Sequence, residues 1–270
     1  MHSKPWRALA LTVVFGAARS TSVSAYEEDF HYVLTKWLAV QVGFCNSQVS
    51  IIASATVAPD HDHDPVQLTL QGLRGNLTAA QAVQEWHFPS DGPVPGLGQA
   101  RRVEPGSRAA WRKVEQVMND STRRSADDTL RLLGNALHPL QDSWSHQGVP
   151  AVPARLLAIV YAAPEIVGWG HPANRGGYMQ TLADQTYLDP ASALAAAEAT
   201  YEALQRFDQV RHLAACSGNN SNRPFAVIQP EIDTFVRLDT IAAKKQWFGD
   251  RLTPTPPELA MLDRLSLRRQ

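Results

Sequence analysis

Two histidines and one aspartate recur at intervals of four residues in the segment ALHPLQDSWSH, residues 136–146. His138, Asp142 and His146 supply imidazole nitrogen and carboxylate oxygen atoms, which bind metal ions. On a helix these side chains share one face, because residues four apart differ by only about 40°. A rise of about 12 Å separates the two histidines, which is too far for one ion. The stripe therefore predicts at least two metal positions, with the Asp142 carboxylate between them as a bridge.

The alternative is a structural role for this stripe, and its surroundings argue against that role. Apolar Leu137, Leu140 and Trp144 flank it, and burial of polar side chains without partners is unfavourable. Pro139 lies within the pattern, where it removes a backbone donor and predicts a kink near residues 135–138. Such a kink changes the direction of His138 and makes the helical rise approximate.

Helical periodicity extends over most of the chain, and no strand alternation or hairpin signal accompanies it. Ser47 is the predicted N-cap of the second helix, Asn76 or Thr78 that of the third, and the Asp189–Pro190 pair begins a long alanine-rich helix. Residues 89–107, rich in proline and glycine, predict a loop. The predicted helices span residues 27–44, 47–58, 77–86, 107–118, 125–146, 189–207, 224–248 and 256–269. The fold class predicted from these patterns is all-α, in a single domain.

Composition limits the classes of function. The chain has 270 residues, of which 44% are hydrophobic, and a net charge of -1 from 25 basic and 26 acidic residues. This balance argues against a generally basic nucleic-acid-binding protein. It leaves open an enzyme that handles phosphate groups through metal ions.

The first 25 residues predict a secretory signal peptide. A basic start precedes the short apolar run ALALTVVFGAA, and small residues lead to an expected cleavage between Ala25 and Tyr26. The alternative is an uncleaved anchor. Export leaves residues 26–270 as the mature metal-binding domain, in a secreted or periplasmic location. In an oxidising compartment Cys45 and Cys216 can form a disulfide, or remain as two buried thiols.

Further histidines and acidic residues provide candidate ligands elsewhere in the chain. His31 lies on the first predicted helix, Asp60 begins the acidic turn DHDHD, His87 lies at a helix end in EWHFP, and His171 lies in the glycine-rich segment GWGHPANRGG.

These motifs together resemble the superfamily of zinc-dependent phospholipases C and single-strand-specific zinc nucleases, in particular a bacterial branch with DFHY and HxLQDxxxH patterns. The resemblance runs from about Tyr26 to Phe248. It implies a helical domain around up to three zinc ions, with Asp142 bridging two of them, although TVAPDHDHD departs from the usual acidic run. The ligands that it implies are His31, Asp60, His87, His138, Asp142, His146 and His171.

One ligand position departs from the family pattern. The family places a carboxylate one helical turn after the second histidine of the last site, where this chain has Arg175. Asp184 is the first candidate to replace it. Asp189 is the second, with an alternative role as the N-cap of the next helix.

The resemblance also gives the mature N-terminus a role. It implies that Tyr26 binds zinc through its backbone amine and carbonyl, if cleavage follows Ala25. If cleavage falls elsewhere, waters complete the site around His31.

The expected activity is hydrolysis of phosphoric esters by metal-activated water, with two to three zinc ions and with Asp60 as a ligand that also orients the attacking water. The expected substrate is a lipid or a single-stranded nucleic acid. Apolar residues 152–167 suit a lipid or a buried core helix, and Trp169 and Tyr178 suit base stacking or packing. We expect a monomer with only transient membrane-surface contact.

The alternative function is a non-catalytic secreted metal-binding protein that retains the fold. Arg175 and the altered acidic turn motivate it. Within that turn, the side chains of residues 61–64 form either an exposed metal-loading site or a solvated acidic surface.

Overall fold

The protein is an all-α molecule, which confirms the predicted fold class. The structure is a computed structural model that describes residues 26–92, 100–120, 122–153, 170–178, 180–213 and 223–268. A π-helix, Asp29–Leu34, leads into the first α-helix, and short 3₁₀ turns occupy Ala173–Arg175, Thr181–Asp184 and Thr186–Leu188. The α-helices are α1 (Thr35–Val42), α2 (Asn46–Asp62), α3 (Pro65–Leu73), α4 (Leu77–Trp86), α5 (Arg108–Asn119), α6 (Ala126–Ser145), α7 (Pro190–Arg211), α8 (Phe225–Val236), α9 (Ile241–Arg251) and α10 (Pro256–Arg268).

Helix α6 carries the His-Asp-His stripe through the middle of the core. It begins after Ser125, whose hydroxyl oxygen accepts a hydrogen bond from the Asp128 amide at 3.1 Å, and acidic residues occupy its first turn. The helix continues through Pro139 to Ser145. The amide of His146 then donates to the Asp142 carbonyl at 2.9 Å, so the stripe keeps its helical spacing to the end.

Helices α2 and α6 make the most extensive helix contact among the described elements. They come closest at Gly134, where a Cβ atom would lie 2.3 Å from the Ile52 carbonyl oxygen and 2.6 Å from Cβ of Ala55. One turn further along both helices, His138 Nδ1 lies 2.8 Å from the Thr56 carbonyl oxygen. The two helices therefore run side by side in the same direction, and the next turn of α2 brings Asp60 to the stripe.

The π-helix Asp29–Leu34 places His31 against the core. Its wider turn is visible in the bond from the Thr35 amide to the Phe30 carbonyl, five residues back. Asp29 forms an ion pair with Lys244 of α9, and neither side chain is exposed. Lys244 also donates to the Thr186 hydroxyl at 2.7 Å. These contacts fix the start of the π-helix and hence the position of His31.

The predicted helices differ from the structure in three places. The second helix begins after Cys45 rather than Ser47, and it extends through Pro59 to Asp62, so Asp60 lies in a helix and not in a turn after it. Helix α3 was not predicted, although Asp64 caps it by accepting from the Gln67 amide at 2.9 Å. Residues 224–248 form two helices, because Thr240 caps a new one.

The other caps agree with the sequence. Asn76 caps α4 by accepting from the Ala79 amide at 3.1 Å, and Asp189 caps α7 by accepting from the Ser192 amide at 3.1 Å.

Two predictions fall partly outside the described residues. Cys45 is disulfide-bonded, and Cys216 lies outside the described residues, as does most of the apolar segment 152–167. None of the described helices is long and apolar enough to cross a membrane.

Replacing Gly134 by alanine is expected to lower the free energy of unfolding by about 1–3 kcal/mol, because α2 must move away from α6. This range is the net loss, after the gain of about 1 kcal/mol in helix propensity that alanine brings, because the added Cβ would lie 2.3 Å from a backbone oxygen. Urea denaturation measures the change. Gly249 of α9 is the matched control, since a Cβ there meets nothing within 4 Å. Gly249→Ala is expected to be neutral or stabilising; equal effects at both glycines would contradict the packing argument.

Candidate metal centre

The structure brings the predicted side-chain ligands together in two buried groups that share helix α6. We call the first the shared cluster, since two possible ligand triads in it have His138 in common. The second cluster lies at the carboxyl end of α6. The shared cluster contains His31, Asp60, His87, His138 and Asp142, and the second cluster contains His146, His171 and Asp184.

Asp142 lies at the centre of the shared cluster. Its Oδ1 atom is 3.2 Å from His31 Nε2. Its Oδ2 atom is 3.1 Å from His138 Nε2 and 3.3 Å from His87 Nδ1. Asp60 approaches from α2, with Oδ1 3.6 Å from His138 Nε2 and 4.0 Å from His87 Nδ1. The two oxygens of one carboxylate thus face different imidazoles, which is the arrangement expected of a bridge.

Each histidine of the shared cluster is held at its outer ring nitrogen by an oxygen acceptor. His31 Nδ1 contacts Gln141 Oε1 at 2.6 Å, His138 Nδ1 contacts the Thr56 carbonyl at 2.8 Å, and His87 Nε2 contacts the His63 carbonyl at 2.9 Å. An acceptor at one nitrogen requires a proton there, so in a neutral ring the other nitrogen keeps its lone pair. That lone pair faces the cluster, as in metal-binding histidines.

The atoms that face the clusters fit a metal ion. Within the described residues, several of them are buried without a hydrogen-bond partner, among them His31 Nε2, Asp60 Oδ1 and Asp142 Oδ1. Ligand atoms around a tetrahedral ion lie about 3.3 Å from one another. Most separations in the shared cluster, from 3.1 to 3.6 Å, match this value. The donor set of imidazole and carboxylate therefore fits a divalent cation.

Of the two candidate aspartates, the structure places Asp184 at the second cluster. Asp184 Oδ1 lies 3.1 Å from His171 Nε2, and Asp184 Oδ2, His146 Nε2 and both His171 nitrogens lack hydrogen-bond partners in the described part of the chain. Asp189 instead caps α7 and forms an ion pair with Arg175. Asp184 was the first candidate from the sequence, and the structure places it at the cluster.

Arg175 lies outside the second cluster and is held by several acceptors. Besides Asp189, it donates to the Ser192 hydroxyl at 2.7 Å and to the Ser145 carbonyl at 3.3 Å. The Ser145 hydroxyl in turn donates to Asp184 Oδ1 at 3.2 Å. Arg175 therefore supports the chain behind the cluster and takes no ligand position.

Tyr26 lies next to His31, the first histidine of the shared cluster. Its buried ring stacks on Phe30 with centroids 4.4 Å apart and meets the edge of His31 at 6.4 Å. The amide of the following residue, Glu27, donates to the Asp184 carbonyl at 3.4 Å. The start of the predicted mature chain thus contacts both clusters, while its role as a backbone ligand stays a prediction.

Without a metal ion, the charged groups of the clusters shift one another's pKa values. Burial opposes ionisation of Asp142, but the charge of His138 and hydrogen bonds from the histidines hold its pKa well below the usual range. Burial would lower the pKa of His31, but Asp142 raises it to about 9. Burial and His171 hold the pKa of His146 well below its usual value. Burial raises the pKa of Asp184 to about 7.

Comparison with known proteins gave no match: no protein-family profile, curated protein sequence or solved structure is similar to this chain. The family resemblance therefore stays a prediction, and the conclusions that follow depend on the geometry of the two clusters.

Sequence reasoning missed the groups that hold the ligands from outside. Gln141 is fully buried beside His31, and its signal was a glutamine in the otherwise apolar stretch before Asp142. Backbone acceptors such as the Thr56 carbonyl carry no sequence signal. Of the candidate substrate contacts, Trp169 lies outside the described residues. Tyr178 packs near Gly170, where a Cβ atom would lie 2.7 Å from the tyrosine ring.

Asp184→Asn is expected to lower the number of bound metal ions by one per chain, because it removes the only carboxylate of the second cluster. Asp189→Asn is the matched control: asparagine caps a helix about as well as aspartate and Asp189 belongs to neither cluster, so metal content should not change. Loss of the ion pair with Arg175 is expected to lower stability. Elemental analysis of both variants, purified side by side, measures the count. Loss of an ion from the Asp189 variant alone would reverse the assignment.

Metal binding to the shared cluster is expected to release protons at neutral pH. His31, with a pKa raised to about 9, is protonated in the metal-free protein below that pH, and a metal-bound imidazole nitrogen cannot keep its proton. The apparent metal affinity should therefore rise with pH up to about 9. Calorimetric titrations in buffers of different ionisation enthalpy count the protons. A binding enthalpy independent of the buffer would contradict this.

Proposed function

We propose that the protein is a secreted zinc-dependent hydrolase of phosphoric esters, with a fold of the phospholipase C and zinc nuclease type. The observation that carries this proposal is the pair of buried clusters on α6, whose possible ligand atoms lie close together and in several cases have no hydrogen-bond partner. The outer ring nitrogens of the shared-cluster histidines and of His146 are held by oxygen acceptors. Because α6 contributes ligands to both clusters, ions bound in them would lie close enough to act on one substrate. The proposed substrate is a phospholipid or a nucleic-acid phosphodiester.

Zinc is the proposed ion because imidazole and carboxylate ligands at tetrahedral spacing are typical of it. The shared cluster offers three imidazoles, the Asp142 carboxylate and Asp60. The second cluster offers two imidazoles and Asp184, and three protein ligands with one open position are typical of catalytic zinc sites. When bound, zinc ions lower the pKa of water and neutralise charge that develops on phosphate oxygens.

The protein's own residues have separate tasks in this reaction. Asp142 holds its negative charge between three imidazoles and keeps them in place. Asp60 is the member of the shared cluster nearest solvent, since its side chain is 10% exposed whereas His87 and His138 have no exposed surface. With Oδ1 buried in the cluster without a hydrogen-bond partner, the Asp60 carboxylate would orient an attacking water and accept its proton.

A groove beside the second cluster is a suitable binding place for the ester. Its volume is about 760 Å³. Gln147 and Pro172, which follow two of the ligands directly, form part of its wall together with Arg102 and Arg175. Glu104 and Asp189 also line the groove, and Asp189 forms an ion pair with Arg175. The exposed Arg102 is therefore the guanidinium group that we propose to attract phosphate oxygens next to the centre.

A second function, a non-catalytic metal-binding protein, is favoured by the burial of the centre. Seven of the eight cluster side chains have no exposed surface, and they are His31, His87, His138, Asp142, His146, His171 and Asp184. Sites that only store or stabilise through a metal ion are closed, whereas a catalytic site must admit its substrate. Three zinc ions with turnover of a phosphodiester support the enzyme, and one ion without turnover supports the binding protein.

Asp142→Ala is expected to lose bound zinc and to reduce phosphodiester turnover by more than the roughly 10- to 100-fold that loss of an outer partner causes. His138→Ala should act in the same way, because His138 belongs to both ligand groups of the shared cluster. The measurements are zinc content per chain and hydrolysis of a small chromogenic phosphodiester, phosphatidylcholine vesicles and single-stranded DNA.

Two further variants control this experiment. Asp142→Asn keeps the side-chain shape in case the alanine variant does not fold. His212→Asn changes an exposed histidine at the end of α7, whose positive φ of 50° asparagine tolerates, and it should behave as wild type. Unchanged zinc content and turnover in the folded Asp142 variants would overturn the proposed function.

A further inference from the structure

Gln141 is a fully buried amide between three helices and the shared cluster. It lies on α6 immediately before Asp142. Its Oε1 atom is 2.6 Å from His31 Nδ1, and its Nε2 atom donates to the hydroxyls of Thr35 in α1 at 2.9 Å and Thr200 in α7 at 3.1 Å. Every polar atom of the side chain thus has a partner.

The hydroxyl protons determine which end of the amide faces His31. Thr200 Oγ1 donates to the Ala196 carbonyl at 2.7 Å, and Thr35 Oγ1 donates to the Phe30 carbonyl at 3.4 Å. A hydroxyl has one proton, so both oxygens can only accept from Gln141. The amide nitrogen must therefore face the two threonines, and the amide oxygen must face His31.

It follows that His31 Nδ1 carries a proton, because Gln141 Oε1 can only accept there. In the neutral ring this leaves the lone pair on Nε2, which lies 3.2 Å from Asp142 Oδ1 and faces the cluster. The opposite tautomer would place a proton on Nε2, in the position where a metal ion would bind.

We infer that Gln141 is a positioning residue that selects the tautomer and ring orientation of His31, and thereby sets how tightly the shared cluster binds zinc. The inference rests on the proposed function. The two other histidines of the shared cluster are held by backbone carbonyls of Thr56 and His63, which a substitution cannot remove. His31 is held by the side chain of Gln141, so the strength with which His31 binds a metal ion depends on which residue occupies position 141.

The choice of an amide in place of a carboxylate has a chemical consequence. A carboxylate at the outer nitrogen makes a metal-binding imidazole more basic and the bond to the metal stronger. A neutral glutamine fixes the tautomer without this increase. An ion bound by His31 would therefore be held less tightly and would remain a stronger Lewis acid.

The first experiment compares two substitutions at one position. Gln141→Met removes the acceptor at similar length and is expected to weaken zinc binding about 10- to 100-fold, whereas Gln141→Glu keeps the acceptor and should bind at least as tightly as wild type. Chelator competition measures the stepwise zinc affinities. Gln48→Met is the matched control, since Gln48 contacts the Cys45 amide and the Leu213 carbonyl and no cluster residue.

Wild-type affinity in a folded Gln141→Met variant, or equal weakening in the methionine and glutamate variants, would overturn the inference. A loss in the Gln48→Met variant as large as that in Gln141→Met would also overturn it, because the effect would then be one of general stability.

The second experiment does not need zinc. Histidine-selective ¹⁵N NMR of the metal-free protein reports the protonation of each ring nitrogen, with His31→Gln identifying the signal. At a pH high enough for the His31 ring to be neutral, we expect a proton on Nδ1 and none on Nε2. An unprotonated Nδ1 in the neutral ring would overturn the inference even if Gln141→Met does not fold. If the wild type binds no zinc while Nδ1 is protonated, the proposed function fails and the tautomer assignment stands.

Discussion

The structure depends on one buried carboxylate, Asp142, that three imidazoles contact at 3.1 to 3.3 Å. A charge without solvent is tolerated only when partners surround it, and these partners come from three separate elements. The π-helix supplies His31, the end of α4 supplies His87, and α6 itself supplies His138. The positions of these three elements are therefore constrained, because each must bring an imidazole to the Asp142 carboxylate. The apolar core packs around this group.

The register between α2 and α6 meets part of this requirement. Gly134 lets α2 approach until the Ile52 carbonyl fills the space of a side chain, and the following turns pair Thr56 with His138 and bring Asp60 to the cluster. This pairing requires α2 to remain helical beyond Pro59. The sequence predicted a turn at this point. Such a turn would end the helical register just before Asp60 and would move its carboxylate away from His138.

Residues with local signals were predictable, and residues that depend on tertiary packing were not. The stripe on α6 follows from spacing alone, and the start of α7 follows from Asp189 and Pro190. The same Asp-Pro signal occurs at Asp64, where α3 begins. The acidic residues around it are typical of a turn, and a turn was the structure predicted there. Gln141 could be noticed as a polar residue in an apolar stretch, but its task depends on hydroxyls of α1 and α7. Backbone acceptors depend on packing entirely and have no sequence signal.

The position of Arg175 shows how the second cluster is built without the carboxylate that the family resemblance implies. Asp189 neutralises the guanidinium and caps α7 at once, so the aspartate nearest to Arg175 is not available to a metal ion. Asp184 takes the position from a 3₁₀ turn, where its carbonyl also accepts from Glu27. The outer nitrogen of His146 contacts the His87 carbonyl at 2.7 Å. A residue of the second cluster is therefore held by the backbone of a shared-cluster residue. A displacement of one ligand set would displace the other.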